Sequence, residues 1–222
     1  MNLKNSLLTF VCFILIIIII LIYLPMKEPF TNYKIGANAY KIYDHLENPQ
    51  DAAEAMDKLN RYAKQLIYYL NDKYLNNPKG YKTIKNRYKK IVEKGIIYLT
   101  KNYNTASLQE NIPFGLDRDT SYVVDKGEIF AMCIRNVDVD NKVIFTDMNE
   151  KIFVLIHEMA HLFTEEIGHG YNFWCNFKFL LSEAVQMGIY IPVDYKKNIA
   201  PYCGIKISYS PLFDTELANY LN

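Results

Sequence analysis

The sequence predicts an α+β domain behind an N-terminal transmembrane helix, and three observations predict it. Residues 7–24, LLTFVCFILIIIIILIYL, form an uncharged apolar run. Residues 49–75 repeat apolar residues at spacings of three and four, the period of a helix with one buried face, and 147–188 holds two further apolar helical stretches broken at Gly168. Between them, residues 121–145 are rich in Val, Ile, Tyr and Phe with a Lys-Gly pair among them, the pattern of a β-hairpin.

The first run, as a helix, would span about 27 Å, close to the hydrocarbon thickness of a bilayer. It ends in LPMKEPF with no small-residue cleavage site, so an uncleaved anchor is expected rather than a signal peptide. The chain then divides into a short tail (1–6), an anchor (7–24), a juxtamembrane linker (25–48) and a folded domain (49–222). Lys4 precedes the run, while Lys27, Lys34 and Lys41 follow it, offset in part by Glu28 and Asp44. That balance slightly favours the domain on the cytosolic side.

Composition excludes little beyond disorder. Lys and Arg number 25 and Asp and Glu 24, so the net charge of +1 argues for no nucleic-acid or acidic partner. Of the four cysteines, Cys12 lies in the apolar run. Cys133, Cys175 and Cys203 are an odd set without a CxxC pair, so no disulfide framework is expected and Cys203 reads as structural or free.

The first helix runs from about Pro49 to Leu75. Asn48 is placed to cap it, and Ala52, Met56, Leu59, Ala63, Leu66, Ile67, Leu70 and Tyr74 form its apolar face. NNPKG at 76–80 breaks it. Tyr81, Ile84, Tyr88 and Ile91 mark a second helical stripe, whose other face carries Lys82, Lys85, Arg87, Lys89, Lys90 and Lys94. A basic amphipathic helix can touch anionic lipid or nucleic acid, but a solvated face is the better reading of a charge run. Residues 100–118 are polar and turn-rich. SYVVDKG and EIFAMCIRN then form a hairpin, and VDVDNKVIF adds a third strand.

The stretch from Asp147 to Ile167 reads as a buried helix, apolar nearly all round, with Asp147 and Glu150 as a capping box and Gly168 as its stop. Three of the chain's four histidines fall in or just after it, in FVLIHEMAHLFTEEIGHG. His157 and His161 are four residues apart and leave one face of the helix, so both imidazoles can reach one Zn²⁺. Glu158 lies about 100° round the helix, placed to take a proton from a water at the metal without ligating it. A third ligand comes from His169, just past the stop, or from Glu183 in LLSEAVQ. Both types suit zinc and the choice stays open. In YNFWCNFKFLLSEAVQMG, Phe173, Trp174, Phe177, Leu180, Leu181, Ala184 and Val185 read as core. Among Tyr171, Tyr195 and Tyr202 in or near the extended tail, Tyr202 is the candidate oxyanion stabiliser, against a buried structural role for each.

HEMAHLFTEEIGHGYNFWCNFKFLLSEA resembles zincin metallopeptidases of the WLM and SprT-like kind. From KGEIFAMCIRN to VDYKKNIAPYCGI the chain resembles a group of zinc-metallopeptidase-like proteins encoded by giant DNA viruses. The resemblance covers about residues 120–212. It implies a zincin-like fold, one Zn²⁺ on His157, His161 and His169, Glu158 as the base, and a protein or peptide substrate paired along EIFAMCIRN. A thermolysin-like arrangement would take Glu183 instead. With the apolar run, it implies a membrane-anchored metallopeptidase of a virion or host internal membrane. The alternative is a non-catalytic zincin-fold structural membrane protein of a virion.

Overall fold

A computed structural model describes residues 30–111, 120–137, 140 and 142–222. The domain is α+β, as its patterning predicts, with a five-stranded mixed sheet in the order β1-β2-β3-β5-β4. Strands β1 (Phe30–Ile35) and β2 (Asn38–Tyr43) form an antiparallel hairpin. These residues were expected to be linker. They are strand because Tyr40 and Ile42, two apart on β2, both turn into the core.

The chain crosses from β2 to the parallel strand β3 (Leu108–Glu110) through helical segments, as a parallel pairing requires. The longest is α1 (Pro49–Leu70), whose buried stripe of Ala52, Met56, Leu59, Ala63, Leu66 and Leu70 packs on the sheet. Pro49 occupies its first turn, but Asn48 does not cap with its side chain. It sits at φ 59°, and only its carbonyl enters the helix, accepting from Ala52 N at 3.2 Å. A π-helical turn at Asn71–Asn76 prolongs α1, and α2 (Pro78–Tyr81) is a single turn. The basic segment is not one helix: Ile84 bridges to Leu221, and α3 begins only at Lys89 and runs to Asn102.

Strand β4 (Tyr122–Val124) pairs antiparallel with β5 (Ile129–Met132), giving the expected hairpin. β5 is interior, held by parallel β3 on its other side. It therefore cannot accept a further strand, and the expectation of substrate pairing along EIFAMCIRN is corrected. Among the described residues nothing pairs with the outer edge of β4. β6 (Arg135–Val137) and β7 (Val143–Phe145) make a separate two-stranded sheet. Helix α4 (Met148–Phe163) then packs against α1, α3, β4 and α5 (Tyr171–Gln186). The tail adds the hairpin β8 (Ala200–Tyr202) and β9 (Ile205–Ile207), turned by Cys203 and Gly204 at positive φ.

The membrane expectation is corrected. Among the described residues no helix is long and apolar enough to cross a membrane. The longest, α1, fails because Asp51, Glu54, Lys58, Arg61 and Lys64 line its outer face. The run at 7–24 lies outside the described residues. The expected single-pass localisation and its sidedness thus find no support among the described residues.

The cysteine expectation is also corrected. Cys133 and Cys203, seventy residues apart, form a disulfide, and the free Cys175 is buried. The bond ties the end of β5 to the β8–β9 hairpin. Spacing gives no hint of it, because the pairing depends on the tail folding back across the sheet.

Candidate metal centre

Helix α4 starts at Asp147, whose carboxylate accepts from Asn149 N at 2.8 Å. The helix packs against α1, α3 and α5, and His157 and His161 leave it on the side that meets Phe173 and Phe177 of α5. The helix ends four residues before the expected Ile167. Thr164 turns extended, and its hydroxyl accepts from the buried Asn176 Nδ2 at 2.9 Å, which pins the exit to α5. Ile167 is 94% exposed as a result. Glu165 pairs with Lys94 of α3, and Glu166 accepts from Asn172 at 2.8 Å. The first three residues of the 164–170 loop are thus fastened. Gly168, at φ 87°, supplies the left-handed turn that swings His169 back over the helix.

The three imidazoles converge. His169 Nε2 lies 3.0 Å from His157 Nε2 and 3.1 Å from His161 Nε2. One lone pair or one proton on His169 Nε2 cannot form good linear hydrogen bonds to both neighbours at once. A single cation can satisfy all three. Zn–N bonds of about 2.0–2.1 Å in tetrahedral geometry place ligand nitrogens about 3.3 Å apart, close to the separations of His169 Nε2 from His157 and His161. The ligand atoms of the three all lie within 4.8 Å of one another, close enough to share one metal ion.

Aromatic rings fix the imidazoles from behind. His161 stacks on Phe173 at 4.4 Å between centroids, and His157 meets Phe177 edge-on at 5.2 Å. Trp174 lies 5.9 Å from the His169 ring. Phe173 and Phe177 read as core in the sequence, and they are. They are also the wall of the site, and their spacing of four along α5 matches the spacing of His157 and His161 on α4.

The surroundings keep the imidazoles neutral. Burial, then the neighbouring histidines, lowers His157 to about 3. Burial, then His169 and Lys126, lowers His161 to about 4. Burial lowers His169 as well. Neutral imidazole is the form that binds metal.

The other candidates separate cleanly. Glu183 is fully buried and committed elsewhere, accepting from Lys73 Nζ at 2.7 Å and Tyr74 OH at 2.8 Å. It stands apart from the histidine group. Glu158 is buried on α4, beside His157 in sequence. Tyr202 is fully buried, and its hydroxyl donates to the Cys133 carbonyl at 3.0 Å and meets Ser121 Oγ at 2.8 Å. Its proton is therefore occupied. Burial, and secondarily the Glu158 carboxylate, push the phenol up. Tyr195 is buried against Phe153, and Tyr171 is exposed with its hydroxyl toward Glu216 O at 3.4 Å.

The comparisons with known proteins point to viruses. The chain is 28% identical over 170 residues to an uncharacterized protein of Acanthamoeba polyphaga mimivirus, covering 77% of this chain and 78% of that protein. It is 35% identical over 83 residues to an uncharacterized protein of Invertebrate iridescent virus 6, spanning 37% of this chain and 44% of that one. With an uncharacterized protein of Invertebrate iridescent virus 3 it shares 30% over 102 residues, 46% of this chain and 60% of the relative. No family model matches, and no solved structure matches. The chain is thus related to proteins of large DNA viruses whose names record no activity.

Proposed function

We propose that the chain is a zinc-dependent metallopeptidase, with His157, His161 and His169 as the metal ligands and Glu158 as the general base. The observation that carries this reading is the meeting of three Nε2 atoms at 3.0 and 3.1 Å on a helix that places a glutamate beside the first histidine. Three protein ligands leave a position open, the arrangement of catalytic rather than structural zinc. When bound, the metal supplies Lewis acidity that polarises a carbonyl and lowers the pKa of water.

The chain's own groups do the rest. The aromatic wall of Phe173, Phe177 and Trp174 holds the imidazoles still and shields one side of the site from water. Glu158 takes the proton of the attacking water and passes it to the leaving amine. Tyr202 holds no free hydroxyl, so in this reading it is structural. A peptide would bind along the open edge of β4, where main-chain hydrogen bonds extend the sheet beside α4. The partner implied is thus an extended protein or peptide segment.

The test is hydrolysis of a peptide library by the zinc-loaded full chain and by Glu158→Gln. The reading expects cleavage, and a loss of about 10²–10⁴-fold on removing the base with zinc retained. Zinc binding with equal, absent turnover in both proteins would leave a zincin-like scaffold in place of an enzyme.

A further inference from the structure

The tip of the β4–β5 hairpin carries a lysine in an unfavourable backbone conformation. Asp125, Lys126 and Gly127 have φ of 44°, 54° and 108°. Asn, Asp and Gly enter this left-handed region readily, whereas a lysine does so at a cost. The turn is also docked. A Cβ on Gly127 would lie 2.3 Å from the Asn102 carbonyl oxygen at the end of α3, with Leu162 of α4 at 3.5 Å. Only glycine allows this approach, and the approach fixes where the neighbouring lysine can reach.

Lys126 Nζ donates to the His161 carbonyl at 3.1 Å and to the Thr164 carbonyl at 2.7 Å. Both carbonyls belong to the C-terminal turn of α4, where the helix itself offers no donors and a cation complements the dipole. Thr164 is held from the opposite side by Asn176, and Asn176 in turn accepts from the buried Tyr220 hydroxyl at 2.8 Å. The chain leaving His161 for His169 is therefore clamped between the hairpin and α5.

We propose that Lys126 is a positioning residue of the three-histidine site: carried on the open-edged hairpin, it fixes the end of α4 and the start of the loop that delivers His169, and so sets the affinity for the metal. This rests on the reading of the histidines as a zinc site. Two effects oppose each other. The ammonium repels a cation at the histidines, while its hydrogen bonds hold two of the three ligands in register. The repulsion is weakened because Lys126 is exposed and has Glu165 and Glu166 nearby. The bonds act directly on the backbone of one ligand and on the residue that opens the loop to another. Positioning is the larger effect.

The experiment is Zn²⁺ affinity by chelator competition, with the thermal midpoint of the metal-free protein, for the full chain and for Lys126→Met, Lys126→Asn and Lys126→Arg. Asn accepts positive φ, so Lys126→Asn removes the ammonium while relieving the backbone. Zinc affinity is expected to fall about tenfold in the Met and Asn variants, the low end for groups that support metal ligands, and to be largely restored by Arg. Lys126→Asn should keep the metal-free midpoint at or above that of Lys126→Met, so that lost affinity is not lost folding. Unchanged or tighter zinc binding in a folded Met or Asn variant would overturn the proposal. A wild-type chain that binds no zinc would instead overturn the site reading, and the proposal with it.

Discussion

The Arg135–Glu110 pair and the three histidines both bring several polar side chains together within the fold, yet they are finished differently. Arg135 and Glu110 are fully buried and joined by two bonds, Nε to Oε1 at 2.8 Å and Nη2 to Oε2 at 3.1 Å. The guanidinium also donates to the carbonyls of Tyr43, Leu46 and Glu47, and Glu110 accepts from Tyr43 N at 3.0 Å. This cluster is closed, and it staples the β1–β2 hairpin to β3 and β6. The histidine cluster is open. Its rings rest on aromatic carbons, its nitrogens face one another, and His169 is exposed to solvent. Fully matched polar groups hold a fold together, whereas ring nitrogens that converge and compete for one proton are set for a ligand.

The sharpest way to separate the two is to break each. Arg135→Leu leaves Glu110 buried without its partner and should cost about 3–5 kcal/mol in urea denaturation, the range for one-sided loss of a buried pair. His161→Ala should change the stability of the metal-free protein by less than about 1 kcal/mol, since at most one shared imidazole hydrogen bond is lost. Its zinc affinity should fall by more than about 100-fold, beyond the range of supporting groups. If His161→Ala destabilises the metal-free chain as much as Arg135→Leu does, the two clusters are alike and the contrast fails.

A subtler difference is pH. In the folded metal-free chain His157 sits at about 3 and His161 at about 4, against an ordinary value of 6.5. Between those values and 6.5 the unfolded chain binds more protons than the folded one, so stability rises with pH there. The metal-free protein should therefore weaken as pH falls from above about 6.5 towards 4, and His157→Ala should flatten that slope. An unchanged slope in the variant would assign the effect to other groups.

Much of this was legible in the sequence. The stripe on α1, the β4–β5 hairpin and the helix carrying His157, Glu158 and His161 follow from apolar periodicity, Lys-Gly punctuation and i, i+4 spacing, which are local properties. The role of 30–43 was hidden because both strands are short and β2, which carries the hairpin into the sheet, pairs with β3 sixty or more residues on. The Cys133–Cys203 bond, the commitment of Glu183 to Lys73 and Tyr74, and the burial of the Tyr202 hydroxyl depend on tertiary placement, which spacing does not encode. Lys126 left a faint mark: in Asp-Lys-Gly the middle residue is a poor choice for a positive-φ turn, and that mismatch is visible only once the turn type is known. The 7–24 run shows the opposite limit, since a strong local pattern there concerns residues outside those the structure describes.

The most direct test of the account is the metal content of the purified full chain beside His169→Ala and Glu183→Ala. The account predicts one zinc per chain, lost or greatly weakened with His169→Ala and retained with Glu183→Ala. The latter is expected to be less stable because Lys73 loses its buried partner. Loss of zinc with a folded Glu183→Ala and retention with His169→Ala, or no zinc in the folded wild-type chain after exposure to the metal, would contradict it.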